Sequence, residues 1–560
     1  MSRSSVWLRS IGPGVVALAF VLAACAPAAA PAPLAPAQQA APAAPARPAA
    51  APAAPAAAAP KSGGVLEIAF NDEPANWDDH ISPLPSMAPF AYQALLRHNP
   101  ETSEMEPLLA KSWEWQGPTT LVVRLQQGVK WQNKPPVNGR EFTADDVVFS
   151  IKRLATDDAR FLWRADFQPV KKVEAVDKYT AKFTFEKPFV PFLDKLANYK
   201  AWMGAKEVFD QYGDASAVIR AVGTGPYMVT EHRAGVDGKA VKSANFWMKD
   251  RPYLDGLHWT IINDEGQRLA ALRTGKLHAI YQTWGGVTTA SVRALQRTNP
   301  DVVAKTLAVT WPTILVMDNT RKPFNDLRVR KAIHLAIDRQ EMINVIFDGV
   351  GHVVGPVDWA LVPQWAISKA ELEKMPGWRQ PKDQDIAEAK KLLAEAGYPS
   401  GLTIEAEASE YYKVLNLRPM EVAKSQLAKI GVTVNINLQD QATYFDWDNT
   451  RKAYFRARGF TTYPDPDAML FTRYYSKGGR NVGNYKDSAV DDLIEKQRSE
   501  LDSAKRKQMI LDIQKRLIDQ APYIFTFVED SWAVHQPFVK GLVPHPSDVF
   551  GRTEQIWLDK

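Results

Sequence analysis

The chain has 560 residues, 46% of them hydrophobic and 23% charged, with a formal net charge of +5. Basic and acidic residues are interspersed, which argues against a nucleic-acid surface, and the single cysteine excludes an intramolecular disulfide. Beyond the N-terminal segment no run reaches about 18 apolar residues, so the remainder is read as having no membrane span.

Arg3 and Arg9 give a short positive start, and Ile11 to Ala24 is almost wholly apolar or small. This is the layout of a secretory signal peptide over residues 1–24. It ends Leu22-Ala23-Ala24-Cys25, which resembles a bacterial lipobox and makes Cys25 the expected lipidation site. From Ala26 to Pro60 only Leu34, Gln38, Gln39 and Arg47 are neither alanine nor proline. Repeated prolines break helix and favour polyproline II. Residues 25–60 thus read as a disordered tether, reaching on the order of 100 Å at most.

The body, 61–560, contains no second linker. "GGVLEIAFND" predicts a strand and turn, and "TTLVVRLQQGVKW" a second strand. "TADDVVFSIKRL" predicts a helix capped by Thr143 with Asp146 three residues on, its apolar face Val147, Val148, Ile151 and Leu154. "VDKYTAKFTFEKP" alternates Tyr179, Ala181, Phe183 and Phe185 as a strand would. "NDLRVRKAIHLAIDRQEMINVIF" places Val329, Ala332, Ile333, Ala336 and Ile337 at helical spacing, with Asn325 as cap. "DIAEAKKLLAEAGYPSG" is a helix stopped at Gly397, followed by the strand "LTIEAEA". "EVAKSQLAKIGVTVNINLQD" is helix, Gly431, then strand. Alternation of this kind in the second half predicts an α/β architecture.

Enzyme chemistry lacks its parts. G-x-S-x-G, H-E-x-x-H and G-x-x-x-x-G-K-[ST] are all absent. The nine histidines are scattered, His535 and His545 being the closest pair in sequence, so no metal or cofactor is expected. Asp145-Asp146 and Asp491-Asp492 read as solvated first turns of helices. "GGRNVG", Gly478 to Gly483, lacks the strand-to-helix context of a phosphate loop. Aromatics are abundant, with 17 Trp, 17 Tyr and 23 Phe. Several stand in turn-rich segments: Trp77, Trp284, Trp359 and Trp447. Such residues can line a ligand cleft, although for any one of them core packing is the commoner role.

In order along the chain, "MEPLLAKSWEW", "LVVRLQQGVKWQN" with "GREFTADDVVFSIKRL", "VGTGPYMV", "LRTGKLHAI", "PFNDLRVRKAIHLAIDR", "AKKLLAEAGYPSG" and "YPDPDAML" resemble the extracellular solute-binding proteins of ABC importers, family 5, the peptide/nickel-binding group. His278 stands where that family usually has Asp. The resemblance implies a periplasmic-binding-protein-like clamp of type II, three-lobed, with two mixed α/β lobes and an inserted third domain. Its expected division is 61–98, 222–310 and 525–560 for domain I, 99–221 for domain II and 311–524 for domain III. Ligand would lie between domains I and III, where two hinge strands cross.

Carried over by the same resemblance, the ligand contacts are Ile81, Ser82 and Met87 in the early loop, and Phe460, Thr462, Tyr463 and Asp465 before and at the D-P pair. Trp284 and Trp359 join them as loop aromatics. Thr462 stands where peptide-binding members commonly carry an aspartate for the substrate's α-ammonium group. A neutral hydroxyl cannot replace that charge, so a sugar-like, opine-like or aromatic solute fits an aromatic, neutral pocket better than an ordinary α-amino peptide, unless a carboxylate such as Asp465 substitutes. The implied function is capture of a peptide-like or other small organic solute, without catalysis, by a monomer tethered in the periplasm or cell envelope. A permease would receive the solute. A sensing or chaperone-like relative of the same fold is the alternative, and a secreted hydrolase with an unrecognised site is a third.

Overall fold

The computed structural model describes residues 59–73, 76–82, 90–161, 163–281, 286–307, 309–410, 413–462, 464–543 and 552–560. The expected signal peptide, Cys25 and nearly all of the tether lie outside these residues, as do Met87, Trp284, Tyr463 and His545. Among the described residues no helix is long and apolar enough to cross a membrane.

Three groups of strands carry separate cores. The first is a seven-stranded sheet in the order 303–307, 531–535, 279–281, 65–70, 256–261, 237–242, 227–233. "VLEIAF" lies inside it, parallel to both Gly256–Ile261 and Ala279–Tyr281. A strand buried between neighbours reads as a nearly continuous apolar run. One core packs Leu66, Ile68, Trp259 and Tyr227; another packs Ala69, Leu272, Ile280 and Leu295.

The second group is a four-stranded antiparallel sheet, in the order 110–115, 120–125, 180–185, 170–177. The helix Ala144–Leu154 packs on it through Val147, Ile151 and Leu154, the predicted face. The stretch predicted as a single strand is the end of one strand, a turn at Lys178-Tyr179, and a second strand. Asp146 is not solvated as predicted. It is buried, accepts the Thr143 N–H at 2.9 Å, and pairs with Arg140 at 2.7 Å. Asp491 is also engaged, accepting the Ser476 N–H at 2.7 Å.

The third group joins His352–Val353, Tyr523–Val528, Thr313–Met317 and Phe455–Gly459, with the parallel pair Leu402–Ser409 and Val432–Gln439 beside them. Its helices include Asp383–Glu395, after which Gly397 takes φ +95°, a conformation that favours glycine. The segment predicted as one helix is two, Leu327–Ala336 and Arg339–Phe347. The cap of the first is Asp326, not Asn325. At the break Ile337 is extended, and the Asp338 carboxylate accepts the Glu341 N–H at 3.0 Å to start the next helix.

Of the expected domain limits, one separates two paired strands and another cuts through a strand. Leu96–His98 pairs with Met105–Pro107 across 98/99. Tyr523–Val528 belongs wholly to the third sheet, so the chain returns to the first sheet at Glu529-Asp530, not at 524/525.

The G-T-G-P-Y turn joins the first two groups. A Cβ on Gly223 would sit 1.9 Å from the Ala91 carbonyl oxygen, and one on Gly225 would sit 2.6 Å from it. The glycines permit this approach, and the Gly225 N–H donates to that oxygen at 2.9 Å. Buried Gln132, beside the second core, accepts the Gly223 N–H at 3.2 Å and donates to Tyr227 O at 2.8 Å.

Candidate functional site

Two short segments connect the first and third sheets. One runs from Leu307, paired with Ser531, to Thr313, paired with Phe527; the other returns from Val528 through Glu529 and Asp530. At this double crossing lies a cavity of about 630 Å³. The first sheet's side contributes Asn71, Asn263, Glu265, Arg268 and Gly286–Thr289. The crossings contribute Val309–Trp311 and Glu529–Trp532, and Lys413–Leu415 enters from the third group. The volume suits a small organic solute.

Most polar groups around the cavity are held by protein. Arg268 donates to the carbonyls of Ile262 at 2.7 Å, Asn263 at 2.8 Å and Gly286 at 2.7 Å. Glu265 accepts from the Thr288 N–H at 2.8 Å and its hydroxyl at 3.1 Å. The Trp532 indole N–H donates to Thr289 Oγ1 at 3.1 Å. Asp530 accepts from His352 Nδ1 at 2.9 Å, while His352 Nε2 reaches Asp358 at 3.0 Å. Burial lowers the His352 pKa, but the two carboxylates more than offset it and push it up to about 10, so the ring is an imidazolium at neutral pH. Glu529 lines the cavity at its open, solvent-accessible part. Burial, with Asp530 adding to it, pushes its carboxyl up to about 7.

The residues expected to bind ligand are distributed differently. Ile81 and Ser82 form a turn whose N–H groups donate to Asp78 O at 2.9 and 2.8 Å. Asp78 is anchored by Arg153 of the second group at 2.5 Å. Phe460 is buried under the Arg473 guanidinium, 4.0 Å from its ring, and its N–H donates to Pro312 O at 3.0 Å. Thr462 donates its N–H to Thr310 O at 2.8 Å, which ties it to the cavity's crossing segment. Its hydroxyl is buried without a hydrogen-bond partner. Trp359 does not line the cavity; it packs edge-on against His352 at 5.1 Å, and its indole N–H donates to Val353 O at 2.8 Å.

Asp465 is held by Arg506 through two contacts, 2.6 and 2.7 Å. Burial would raise its pKa, but Arg506 more than offsets this and holds it below the usual carboxylate value. Asp465 is thus committed to a buried ion pair. Glu529, Asp530, Arg268, Lys413 and Trp311 were missed in the sequence. The one local signal was the acidic pair Glu529-Asp530 ending the buried run "YIFTFV".

Separate lobes joined by a double crossing with a solute-sized cavity between them define a solute-capturing clamp. The profile of the middle region of the bacterial extracellular solute-binding proteins, family 5, matches residues 104–481. The chain belongs to that family, whose members are binding proteins rather than enzymes and capture solutes for ABC import. The glutathione-binding protein GsiB of Pectobacterium atrosepticum is 26% identical over 460 residues, 77% of this chain and 81% of that protein. The periplasmic binding protein DppA of Helicobacter pylori, solved with the peptide STSA, has a TM-score of 0.67 at 25% identity, covering 89% of this chain and 99% of that one. HbpA2 of Haemophilus parasuis has a TM-score of 0.77 at 24% identity, covering 89% and 100%. The unexpected family feature, His278, accepts the Glu67 N–H through Nδ1 at 3.2 Å within the first sheet and does not line the cavity.

Proposed function

We propose that this chain is a lipid-anchored capture protein of an ABC importer and that the cavity at the double crossing seats its solute. The observation that carries the reading is the composition of the cavity wall: it draws on the first group, both crossings and the third group. A solute held there touches both sides of a joint, so its binding energy favours the arrangement that closes on it. In this reading the first sheet is domain I, the second group domain II and the third group domain III, with the exchange at residues 529–530. Cys25 carries the anchor, and the Ala/Pro segment spaces a monomer from the membrane. Relatives named for glutathione and peptides support a peptide-like solute of two to four residues. The neutral Thr462 supports one that does not rely on that position for its ammonium partner.

Thermal shift with glutathione, tripeptides, opines and oligosaccharides tests this. A solute at about 100 times its Kd stabilises the folded state by roughly 2.7 kcal/mol. Thr289→Trp fills the cavity and abolishes that shift. Binding that survives Thr289→Trp in a folded protein refutes the cavity as the seat.

A further inference from the structure

We propose that Glu529 reads a cationic centre on the captured solute, so that the solute is an amine or guanidine whose charge is met at the second crossing instead of at position 462. This rests on the cavity being the solute's seat. Glu529 is the first residue after the buried strand Tyr523–Val528 and stands where the chain passes between sheets. The other acidic groups of the wall are committed: Glu265 to Thr288, and Asp530 to His352. Arg268 is turned onto three backbone carbonyls. Among the described residues neither an ion pair nor a hydrogen bond reaches the Glu529 carboxyl.

A cavity-lining carboxylate beside another carboxylate, with no protein cation on it among the described residues, lacks the counter-charge that would stabilise it. Partial burial and the neighbouring Asp530 push its carboxyl up accordingly. A solute ammonium or guanidinium supplies that charge and gains a charge-assisted hydrogen bond. Lys413 is an exposed lining residue contributed by the third group, at the start of the helix Lys413–Ala428, where it can meet an acidic group on the same solute. The wall therefore suits a zwitterion.

The test uses the full-length mature protein and pairs of probes: glutathione and a tripeptide set, each with a free amine and as its N-acetyl form. In wild type the free-amine form of a bound probe should bind at least tenfold tighter than its acetylated partner. Glu529→Gln keeps the shape and should erase that ratio, with a tenfold or greater loss for the amine form only. Equal affinity of the two forms in wild type, or a ratio unchanged in Glu529→Gln, overturns the proposal. So does wild type that takes neither form of any probe. Thr289→Trp separates the two readings. If it abolishes binding while Glu529→Gln leaves the amine ratio intact, the cavity stands and Glu529 falls. If probes still bind Thr289→Trp, the cavity itself falls.

Discussion

Removing the charge at His352 tests the wiring of the crossing. Its imidazolium bridges Asp358 at 3.0 Å and Asp530 at 2.9 Å, and the Asp358 side chain is 1% exposed. The Asp358 carboxylate also accepts the Ala360 N–H at 2.9 Å, so it is fixed in place. In His352→Gln that carboxylate stays buried with no cation. Breaking one partner of a buried pair costs about 3–5 kcal/mol. The pH dependence follows from the raised pKa. A group whose folded-state value rises from 6.5 to about 10 contributes stability fully present below about pH 6.5, lost as pH climbs through about 10. The gap between wild type and variant should therefore be widest near pH 6 and close by about pH 10.5. Urea unfolding of both proteins at pH 6, 8 and 10.5 measures it. A gap below about 1 kcal/mol at pH 6, or one that stays constant to pH 10.5, refutes a doubly paired imidazolium.

Three further outcomes follow. Gly223→Ala drives a Cβ to 1.9 Å from the Ala91 carbonyl oxygen, and overpacking against backbone should cost at least about 1–3 kcal/mol; a wild-type unfolding midpoint refutes the close approach. Thr462→Asp should leave the affinity of ordinary α-amino peptides within about threefold by calorimetry, because their ammonium is met at the second crossing; a tenfold gain would move that ammonium to position 462. Cys25→Ser should release the protein from membranes washed without detergent, and full retention in the membrane fraction would rule out the lipid anchor.

Local chemistry made much of the fold legible. The helix Ala144–Leu154 was readable from its apolar spacing and its cap, and Asp383–Glu395 from its stop at Gly397. Ile337-Asp338 misled because the apolar period continues through it, while Asp338 caps a new helix at a point that periodicity does not mark. The site was less legible, for a geometric reason. Its wall joins segments near residues 71, 265, 288, 310, 413 and 530, and no local window contains two of those charged groups with their partners. Asp465 shows the converse. A motif next to the expected contacts made it a candidate, but its role is decided by Arg506, which is 41 residues away.

The joints also differ in strength, and that difference bears on which part can move. The first and second groups are stitched by Gln132 at the glycine turn, by Lys134 donating to Ile219 O at 2.6 Å and Val229 O at 2.9 Å, and by Asn245 donating to Trp131 O at 2.6 Å. Several of these bonds are buried backbone contacts, which are costly to break. Among the described residues the third group reaches the second through Ser103 Oγ to Leu361 O at 2.6 Å, Gln364 to Ser103 O at 3.2 Å, and Val190 N–H to Arg498 O at 3.0 Å. Its covalent link to the first is the double crossing alone. Trp311 and Glu529 of that crossing line the cavity proposed as the solute's seat. On the proposed reading the third group is therefore the jaw whose position a solute would bias at least cost, with the other two expected to move as one body.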